Sequence, residues 1–426
     1  AYVEAMTAIE RLVAGDAHDD GLLDAGLAVR LHIGPDRISD SVADSLSLCM
    51  IVRNEAKFLA ACLHAAKPLA DEIIVVDTGS NDRTADIARL YGAQVHAFSW
   101  CDDFAAARNA ALGLSGAAWV LVLDADELIA AQDFEALRSL IRSQGQGVVA
   151  YTLQTRNYCN VANAIGWQAN MGDYQACETG MGWFPSNKVR LFKRHPAVRF
   201  HFPVHERVEP SLRSAGIPIK NCPVPVHHYG HLDESRNLEK AKSYFSLGYA
   251  KLEEMKDDPA AVRELAVAAG QLERWDEAVG LWQRLLTLRP NFLEALVNLA
   301  AAYWQQGDYL KSLAWSRRAV AMDSNAREAH YNLGISRLMQ GEFEAAVEVF
   351  QPLAHRHPTY FPAIFMLAAG HACCGRTDQA RNLSQSLVRH MPREALAMAL
   401  DDLALRLFRA GLQAPAANLE RMLPVH

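Results

Sequence analysis

Residues 119–127 read WVLVLDADE, five apolar residues followed by a run in which three of four are acidic. An uninterrupted apolar run of this length is typical of a strand buried on both faces of a parallel sheet. Asp124 and Asp126 follow where this strand is predicted to end, and carboxylates so placed can share one Mg²⁺ or Mn²⁺ ion. Because an Asp-x-Asp pair also occurs in ordinary polar loops, its meaning depends on the sequence around it.

Apolar strands alternate with helical segments through residues 46–124. The predicted strands are 46–52, 72–77, 93–97 and 119–124, and the predicted helices are 55–66, 82–91 and 104–114. This alternation indicates βαβ units and a mostly parallel sheet. Ligands of such sheets bind beyond the carboxyl ends of the strands. Asp77 and Asp124 both lie at that end, which is the physical reason to treat them as binding residues.

Residues 147–230 have a different texture. Predicted strands at 148–158, 188–193 and 198–208 are separated by loops rich in glycine and aromatic residues. The stretch 160–183 holds two tryptophans, and long irregular segments in compact domains are commonly functional. Its aromatic content predicts an ordered loop.

A repeat of 34 residues runs through the second half of the chain. Small residues at fixed places allow two antiparallel helices to pack closely, and this period resembles the tetratricopeptide repeat. Residues 393–423 are predicted to form a terminal, capping helical pair. The recurring positions are Trp275, Tyr309, Phe343 and Thr377; Gly307, Gly341 and Gly375; Ala278, Ser312, Ala346 and Ala380; Ala295, Ala329 and Ala363; and Leu299, Leu333 and Leu367.

Helical patterns also begin the chain, at 5–13 and 22–31, and a polar stretch follows them to about residue 44. We therefore predict a helical lead-in at 1–45, an α/β domain at 46–235 and an all-α repeat superhelix at 236–426. A chain of 426 residues is long enough for such a division.

Composition and charge exclude several classes of protein. The formal net charge of −7 argues against nucleic-acid binding. No apolar run approaches the roughly 18 residues of a membrane span, and no basic-then-apolar leader is present. Eight cysteines without a CxxC pair predict free thiols in a reducing, cytoplasmic compartment. Because the chain begins at Ala1, a targeting segment before it stays an open alternative.

Four ordered blocks carry a family resemblance. They are LCMIVRNE at 48–55, IIVVDTGSNDRT at 73–84, DFAAARN at 103–109 and LDADE at 123–127. Together they resemble family 2 glycosyltransferases of the GT-A fold, especially bacterial members with a tetratricopeptide-repeat tail. The resemblance covers about residues 46–235, and the tail extends it nearly to the end. It implies a Rossmann-like catalytic domain of hexosyltransferase type and a nucleotide diphosphate-sugar donor, by default a UDP-sugar.

The resemblance assigns residues to the donor nucleotide. Asp77 is expected to accept a hydrogen bond from the base, and Asn54 and Glu55 are expected to line the pocket. Arg108 is expected near the diphosphate, and Asp124 near the ribose or bridging to the metal.

Purely structural roles stay open for most of these residues. Asn54 and Glu55 could simply open a helix, where a carboxylate meets the positive end of the dipole. Arg108 could form a surface ion pair. Ser80 and Asp82 are expected to cap helices rather than bind a ligand.

The metal, Mn²⁺ or Mg²⁺, is expected to bind Asp126 directly. Six histidines lie within residues 195–231, and the blocks VHE at 204–206 and HHYG at 227–230 recur in the tailed transferases. We expect His228 to complete the coordination, with His205 as a lesser candidate on the same predicted strand face as His201. His195 and His231 are expected to be structural, and a pure zinc site would leave the nucleotide blocks unexplained.

A transferase that inverts the anomeric centre needs a base to deprotonate the acceptor. The family base usually lies in a Glu-Asp motif after the metal site, which this sequence lacks in its common form. Glu206 is the first candidate, followed by Asp173 and Glu178. Lys188 and Arg190 could assist the leaving group or could form a solvated strand face.

The favoured function is an inverting, metal-dependent glycosyltransferase acting on a protein or peptide presented with help from the repeats. The alternative is the same chemistry on a lipid-linked or polysaccharide acceptor, with the repeats used for homo-oligomerisation. The third is a non-catalytic scaffold, against which the intact set of Asp77, Asp124 and Asp126 argues.

Overall fold

The computed structural model falls into two compact units. Unit 1 comprises residues 1–159 and 171–232, and unit 2 comprises residues 160–170 and 233–426. The structure describes residues 2–16, 19–34, 43–143, 147–160, 166–204, 206–233, 237–239, 241–242, 245–246, 248–249, 252, 258–389, 393–419 and 422. The predicted domain limits at residues 45 and 235 stay predictions.

Unit 1 is built on a mixed sheet. Strand order is β3-β2-β1-β4-β8-β6-β10-β5, with β9 beside β6; β1 to β4 are mutually parallel, and β8 runs antiparallel to both β4 and β6. The predicted fold class, an α/β domain with a mostly parallel sheet followed by helical repeats, is confirmed. The strands are β1 Leu46–Val52, β2 Glu72–Asp77, β3 Gln94–Ala97, β4 Trp119–Val122, β5 Glu127–Leu128, β6 Ala150–Cys159, β7 Gln168–Ala169 (in unit 2), β8 Gly182–Lys193, β9 Ile219–Asn221 and β10 Val226–His228.

The parallel strands β1, β2 and β4 are mostly apolar because both of their faces are covered. Alternate residues of β1 enter different apolar clusters: Leu48 and Met50 pack on one face of the sheet, and Cys49 packs on the other. The helices of unit 1 are α1 Tyr2–Gly15, α2 Asp20–Ile33, α3 Ala56–Ala66, α4 Thr84–Leu90, α5 Phe104–Leu114, α6 Phe134–Ser143 and α7 Glu209–Ser214.

Helices α1 and α2 belong to the core of unit 1. Met6 and Val13 are buried in the same cluster as Leu48. Arg30 donates to a Glu10 carboxylate oxygen at 2.6 Å, and Lys67 of the α/β region donates to the same oxygen at 2.7 Å. This shared carboxylate fixes the two N-terminal helices onto α3.

Some predicted elements of unit 1 are wrong in place or extent. The strand predicted at 198–208 is absent from its described residues, which form only an isolated bridge between His201 and Arg207. Phe202 has φ +77°, a left-handed conformation that breaks a strand, and Pro203 follows it. The strand predicted to begin at residue 188 instead begins at Gly182.

Unit 2 consists mainly of paired helices. They are α8 Pro259–Gln271, α9 Trp275–Leu288, α10 Leu293–Gln305, α11 Tyr309–Met322, α12 Arg327–Met339, α13 Phe343–Arg356, α14 Phe361–Cys373, α15 Thr377–Val388, α16 Arg393–Arg409 and α17 Gln413–Leu419. The periodic residues Trp275, Tyr309, Phe343 and Thr377 each begin the second helix of a pair. The predicted 34-residue helical repeat is confirmed.

Tight turns and small residues explain the period. Gly307, Gly341 and Gly375 have φ values of +80°, +79° and +77°, which glycine adopts without strain. Glu273 occupies the equivalent place one repeat earlier and still adopts φ +56°. The periodic alanines, Ala329 among them, are buried at the helix contacts.

In the part of the chain that the structure describes, no helix combines the length and apolarity needed to cross a membrane.

Candidate functional site

The end of β2 forms a tight, hydrogen-bonded loop. Asp77 Oδ1 accepts from the backbone N–H of Gly79 at 3.0 Å and of Ser80 at 2.8 Å. Gly79 has φ +106°, which allows the chain to turn back over the carboxylate. Asp77 is thus held rigidly at the carboxyl edge of the sheet, where a ligand of a parallel sheet binds.

The first two sequence blocks are tied together at this edge. Asn54, itself at φ +55°, accepts from Asn81 N–H at 2.9 Å and donates its own N–H to Ser80 Oγ. Asp82 accepts from Ala56 N–H at 3.2 Å and from Thr84 N–H at 2.9 Å, so it bonds the first turns of both α3 and α4. Glu55 is the residue that precedes α3 and makes no side-chain cap hydrogen bond.

Arg108 joins two predicted site residues. From the buried side of α5 its guanidinium donates to Asp124 Oδ1 and, at 3.2 Å, to Glu206 Oε1. The interpretation of Arg108 as a surface ion pair is wrong, because its side chain is 7% exposed. The Arg108 guanidinium therefore binds two carboxylates at once: Asp124 of the Asp-x-Asp motif and Glu206, the leading candidate for the base.

Asp124 is held in its ionised form. Burial alone would raise its pKa, but Arg108, with smaller contributions from Arg190 and Lys188, holds the pKa of this carboxyl well below its usual range. A carboxylate that stays charged can meet the ribose or a cation at any physiological pH.

Arg190 lies in the interior beside the candidate site, so only one of its two predicted interpretations, assistance to a leaving group, stays open. Its side chain is 3% exposed, and it donates to Glu127 Oε1 at 2.5 Å while lying 3.8 Å from Asp124 Oδ2. The solvated-face interpretation holds for exposed Lys188 and is wrong for Arg190. Glu127 in turn accepts from the Asp124 backbone N–H at 2.9 Å, which fixes the turn after β4.

Asp126 and His228 form the candidate cation site. Asp126 Oδ1 lies 3.5 Å from His228 Nε2, close enough for both atoms to bind one ion at about 2.1 Å. A Cβ at Gly230 would lie 2.5 Å from Asp126 Oδ2 and 2.7 Å from His228 Nε2. The space beside both atoms therefore exists because residue 230 lacks a side chain, and the donor set fits Mn²⁺ or Mg²⁺.

The rest of the coordination would come from outside the protein. Among the described residues, no group of three or more His, Cys, Asp or Glu side chains is arranged to hold a metal. Two protein ligands suit Mg²⁺-type ions, which keep several waters and bind substrate phosphates.

Asn157 positions the histidine, and no motif in the sequence pointed to it. His228 Nδ1 lies 2.8 Å from Asn157 Oδ1, and the Asn157 amide donates to Phe184 O at 2.9 Å and to Ser186 Oγ at 3.0 Å. Since the amide N–H groups are used on β8, its oxygen faces the ring and selects Nδ1–H. The lone pair of Nε2 is then directed at Asp126, as in metal sites whose histidines are held by an outer partner.

The other proposed base candidates lie in the aromatic loop. Asp173 is exposed, and its carbonyl accepts from Gln132 Nε2 at 3.2 Å. Glu178 is buried and accepts from Gly172 N–H at 2.7 Å, so it closes the loop. Arg156 stacks between the rings of Tyr174 and Trp183, which supports the predicted order for this part of the loop, whereas residues 161–165 lie outside the described residues.

The remaining histidines have structural surroundings. His227 is fully buried, its Nδ1 is 2.7 Å from Tyr158 OH, and burial lowers its pKa to about 4, with Arg156 adding to the shift. His195 Nδ1 accepts from Ala197 N–H, and the His231 ring packs edge-on against His228. His205 lies outside the described residues.

Comparison with known families agrees with this geometry. The model of the family "Glycosyl transferase family 2" matches residues 47–203, which include Asp77, Asp124 and Asp126. Residues 47–203 are a family 2 glycosyltransferase domain. The tetratricopeptide-repeat model matches residues 263–327 and 315–361, which follow this domain in the sequence.

Two curated relatives span much of the chain. A TPR repeat-containing protein of Synechococcus elongatus is 30% identical over 72% of this chain and 65% of its own length. The SPbeta prophage-derived glycosyltransferase SunS of Bacillus subtilis is 23% identical over 61% of this chain and 59% of its own length. This chain thus spans less than two thirds of the length of either relative.

A solved tetratricopeptide-repeat protein of Thermus thermophilus is also similar. It covers 42% of this chain and 99% of its own, at 20% identity and a TM-score of 0.32.

Proposed function

We propose that the chain is an inverting glycosyltransferase that uses a nucleoside diphosphate-sugar, by default a UDP-sugar, and Mn²⁺ or Mg²⁺. The observation that carries the proposal is that Asp126 and the Arg108–Asp124 pair lie within the family 2 glycosyltransferase domain, with His228, from beyond that domain in the sequence, beside Asp126. A ribose, a diphosphate and a cation need these groups side by side.

Each end of the donor has its own protein groups. Asp77, fixed by two backbone N–H groups, accepts from the base, while Asn54 and Glu55 line the pocket for the nucleoside. Arg108 carries the positive charge that faces the diphosphate, and Asp124 faces the ribose or the cation.

Asp126 and His228 would hold the cation, which, when bound, offsets the negative charge that develops on the departing diphosphate. Glu206 takes the acceptor proton, because its carboxylate is fixed by Arg108 next to the donor groups. Asp173 is the second candidate for this base, since it is exposed on the aromatic loop.

The acceptor we favour is a protein or peptide. Tetratricopeptide repeats support this choice, because stacked helical pairs form extended surfaces that bind chains. A lipid-linked or polysaccharide acceptor, with the repeats joining two copies, is the second candidate. The compartment we favour is the cytoplasm.

Donor turnover tests the proposal directly. The full chain with UDP-sugars and Mn²⁺ is expected to release UDP, and EDTA is expected to abolish the release. Asp126→Asn is expected to lower turnover by about 10²–10³-fold, the usual effect of removing one group that stabilises transition-state charge. The matched control is Asp401→Asn, at an exposed carboxylate of α16.

Three results would contradict the proposal. Full turnover in EDTA would show that the reaction does not need a metal. Equal loss of turnover in Asp126→Asn and Asp401→Asn would show that Asp126 has no specific role. Absence of binding and turnover with every common nucleotide sugar, measured by calorimetry, would favour the non-catalytic scaffold.

A further inference from the structure

A buried tryptophan of unit 2 does not belong to the helical repeats. Trp167 precedes β7 in the segment 160–170, which the structure groups with the repeats, and its side chain is fully buried. Its ring centroid lies 6.4 Å from that of Tyr360 and 6.3 Å from that of Phe361. An aromatic side chain of this size is the kind of anchor that dominates peptide recognition.

The backbone beside Trp167 is recognised as well. Arg327 donates to the Trp167 carbonyl at 2.8 Å, and Glu328 accepts from the Gly166 N–H at 2.9 Å. One charged side chain therefore binds an acceptor, and its neighbour binds a donor, of the same short segment. Both are charge-assisted hydrogen bonds, stronger than bonds between neutral groups.

The contacts come from matching places in two successive repeats. Arg327 begins α12, Phe361 begins α14, and the two positions are 34 residues apart. The guanidinium of Arg327 also lies 4.3 Å from the centroid of Tyr360, which orients the fork toward the segment. One repeat earlier the equivalents of Arg327 and Tyr360 are Leu293 and Ala326, so that place lacks both the charge and the ring.

We propose that the N-terminal ends of α12 and α14 form a binding site for a Gly-Trp segment, and that residues 166–167 of the same chain occupy it. Tyr360 and Phe361 select an aromatic ring. Arg327 and Glu328 bind a backbone carbonyl and a backbone N–H of the segment. This inference does not depend on the proposed transferase activity.

The indole nitrogen contributes little to the selection. Trp167 Nε1 is buried without a hydrogen-bond partner among the described residues. Because an unpaired buried donor is unfavourable, a phenylalanine ring suits the same place at small cost. Trp167→Phe is thus a variant that keeps the site filled.

A peptide supplied in trans tests the occupancy. A labelled peptide with the sequence of residues 160–170, NVANAIGWQAN, is added to the full chain, and binding is followed by fluorescence anisotropy. Trp167→Ala empties the ring site, so this variant is expected to bind the peptide at least tenfold more tightly than the wild type. Trp167→Phe and Trp315→Ala, at a partly buried tryptophan of α11, are expected to behave as the wild type.

Two further arms show that the named residues form the site. The peptide with alanine in place of tryptophan is expected not to bind, and Trp167→Ala/Arg327→Ala is expected to lose the binding that Trp167→Ala gained. Equal binding to the wild type and Trp167→Ala, or binding to neither, would overturn the proposal. A wild-type dimer that Trp167→Ala dissociates would assign the segment to a second copy and overturn occupancy within one chain.

If the Trp167→Ala chain does not fold, a second measurement tests the proposal without it. Arg327→Ala in the otherwise wild-type chain removes the bond to the Trp167 carbonyl and the stacking on Tyr360. Hydrogen–deuterium exchange at residues 166–170 is then expected to rise at least tenfold while exchange in α9 stays constant. Unchanged exchange at 166–170 would contradict the assigned contact.

Discussion

The two units bury different kinds of polar group. Unit 1 buries charged side chains, four of them around the candidate donor site: Arg108, Asp126, Glu127 and Arg190. It also buries Glu10, Arg30 and Glu72 away from that site. In unit 2, no Asp, Glu, Lys or Arg of the described residues is buried; the buried polar groups are Ser312, Ser316, Asn332, Ser336, His371 and Ser384.

This difference follows from what each interior must do. Ser316 and Ser384 donate to carbonyls one helical turn earlier, so they fill small spaces between helices at little cost. Burying a charge costs roughly several kcal/mol in lost hydration, so a buried charge is usually found only with an oppositely charged partner. The cluster of buried charge after β4 therefore marks where a charged ligand is expected, whereas buried hydroxyls mark packing.

Breaking the buried pair of unit 1 is expected to have the largest effect. Arg190→Met leaves Glu127 charged and buried, so the free energy of unfolding of unit 1 is expected to fall by about 3–5 kcal/mol. Chemical unfolding followed by hydrogen exchange in β4 measures the loss. Arg190→Met/Glu127→Gln is expected to recover much of it.

The control is a surface pair of the same chemistry and the same unit. Arg142 and Glu135 pair with side chains 49% and 78% exposed, and Arg142→Met is expected to change stability by less than about 1 kcal/mol. Losses of similar size in the two variants would mean that burial of charge does not distinguish the site.

Removing the partner of His228 is expected to have an intermediate effect. Asn157→Leu leaves the imidazole without the oxygen that selects Nδ1–H, so Mn²⁺ affinity is expected to fall by about 10–100-fold. Calorimetry and the electron paramagnetic resonance signal of free Mn²⁺ measure it. Asn187→Leu, on the exposed part of β8, is the matched control; unchanged affinity in Asn157→Leu would remove the positioning role.

The smallest effect is expected in unit 2, at the buried imidazole of His371. Burial, together with Arg376, lowers the pKa of His371, whereas Glu344 acts in the opposite direction. Because the folded-state pKa is below the unfolded value of about 6.5, stability is expected to fall as pH drops below 6.5. His371→Gln should flatten this dependence, measured by the urea midpoint of α14 exchange, and exposed His355→Gln should not.

The parts of the site that a sequence reveals are those set by neighbours in the chain. Strands β1 and β2 and helix α5 have the predicted bounds, because continuous apolar runs and helical spacing are local signals. Asp77 and Asp124 could be placed at the sheet edge for the same reason. Their roles toward a donor stay predictions.

The parts that the sequence concealed depend on distant partners. Arg190 reaches Glu127 across 63 residues, and His228 reaches Asn157 across 71. No periodicity records such pairings, because they are set by the order of strands in the sheet. An arginine two residues after a lysine therefore resembled a solvated strand face, although it lies in the interior.

The repeats were predicted more closely than the site because the same residue pattern recurs in several successive repeats. Even there, Glu273 shows a limit, since a left-handed turn persists where glycine is replaced. The fold of the neighbouring turns holds this residue in a conformation that its side chain disfavours.

Gly230 gives this chain a simple way to lose its candidate cation site. A single extra methyl group there would collide with Asp126 Oδ2 and His228 Nε2, while every residue that could hold a cation would remain in the sequence. A one-base change in a glycine codon can produce such an alanine. Among related genes, a survey that checks only for the acidic motif and the histidine would count that descendant as keeping the candidate cation site, so the residue to inspect is the one with no side chain.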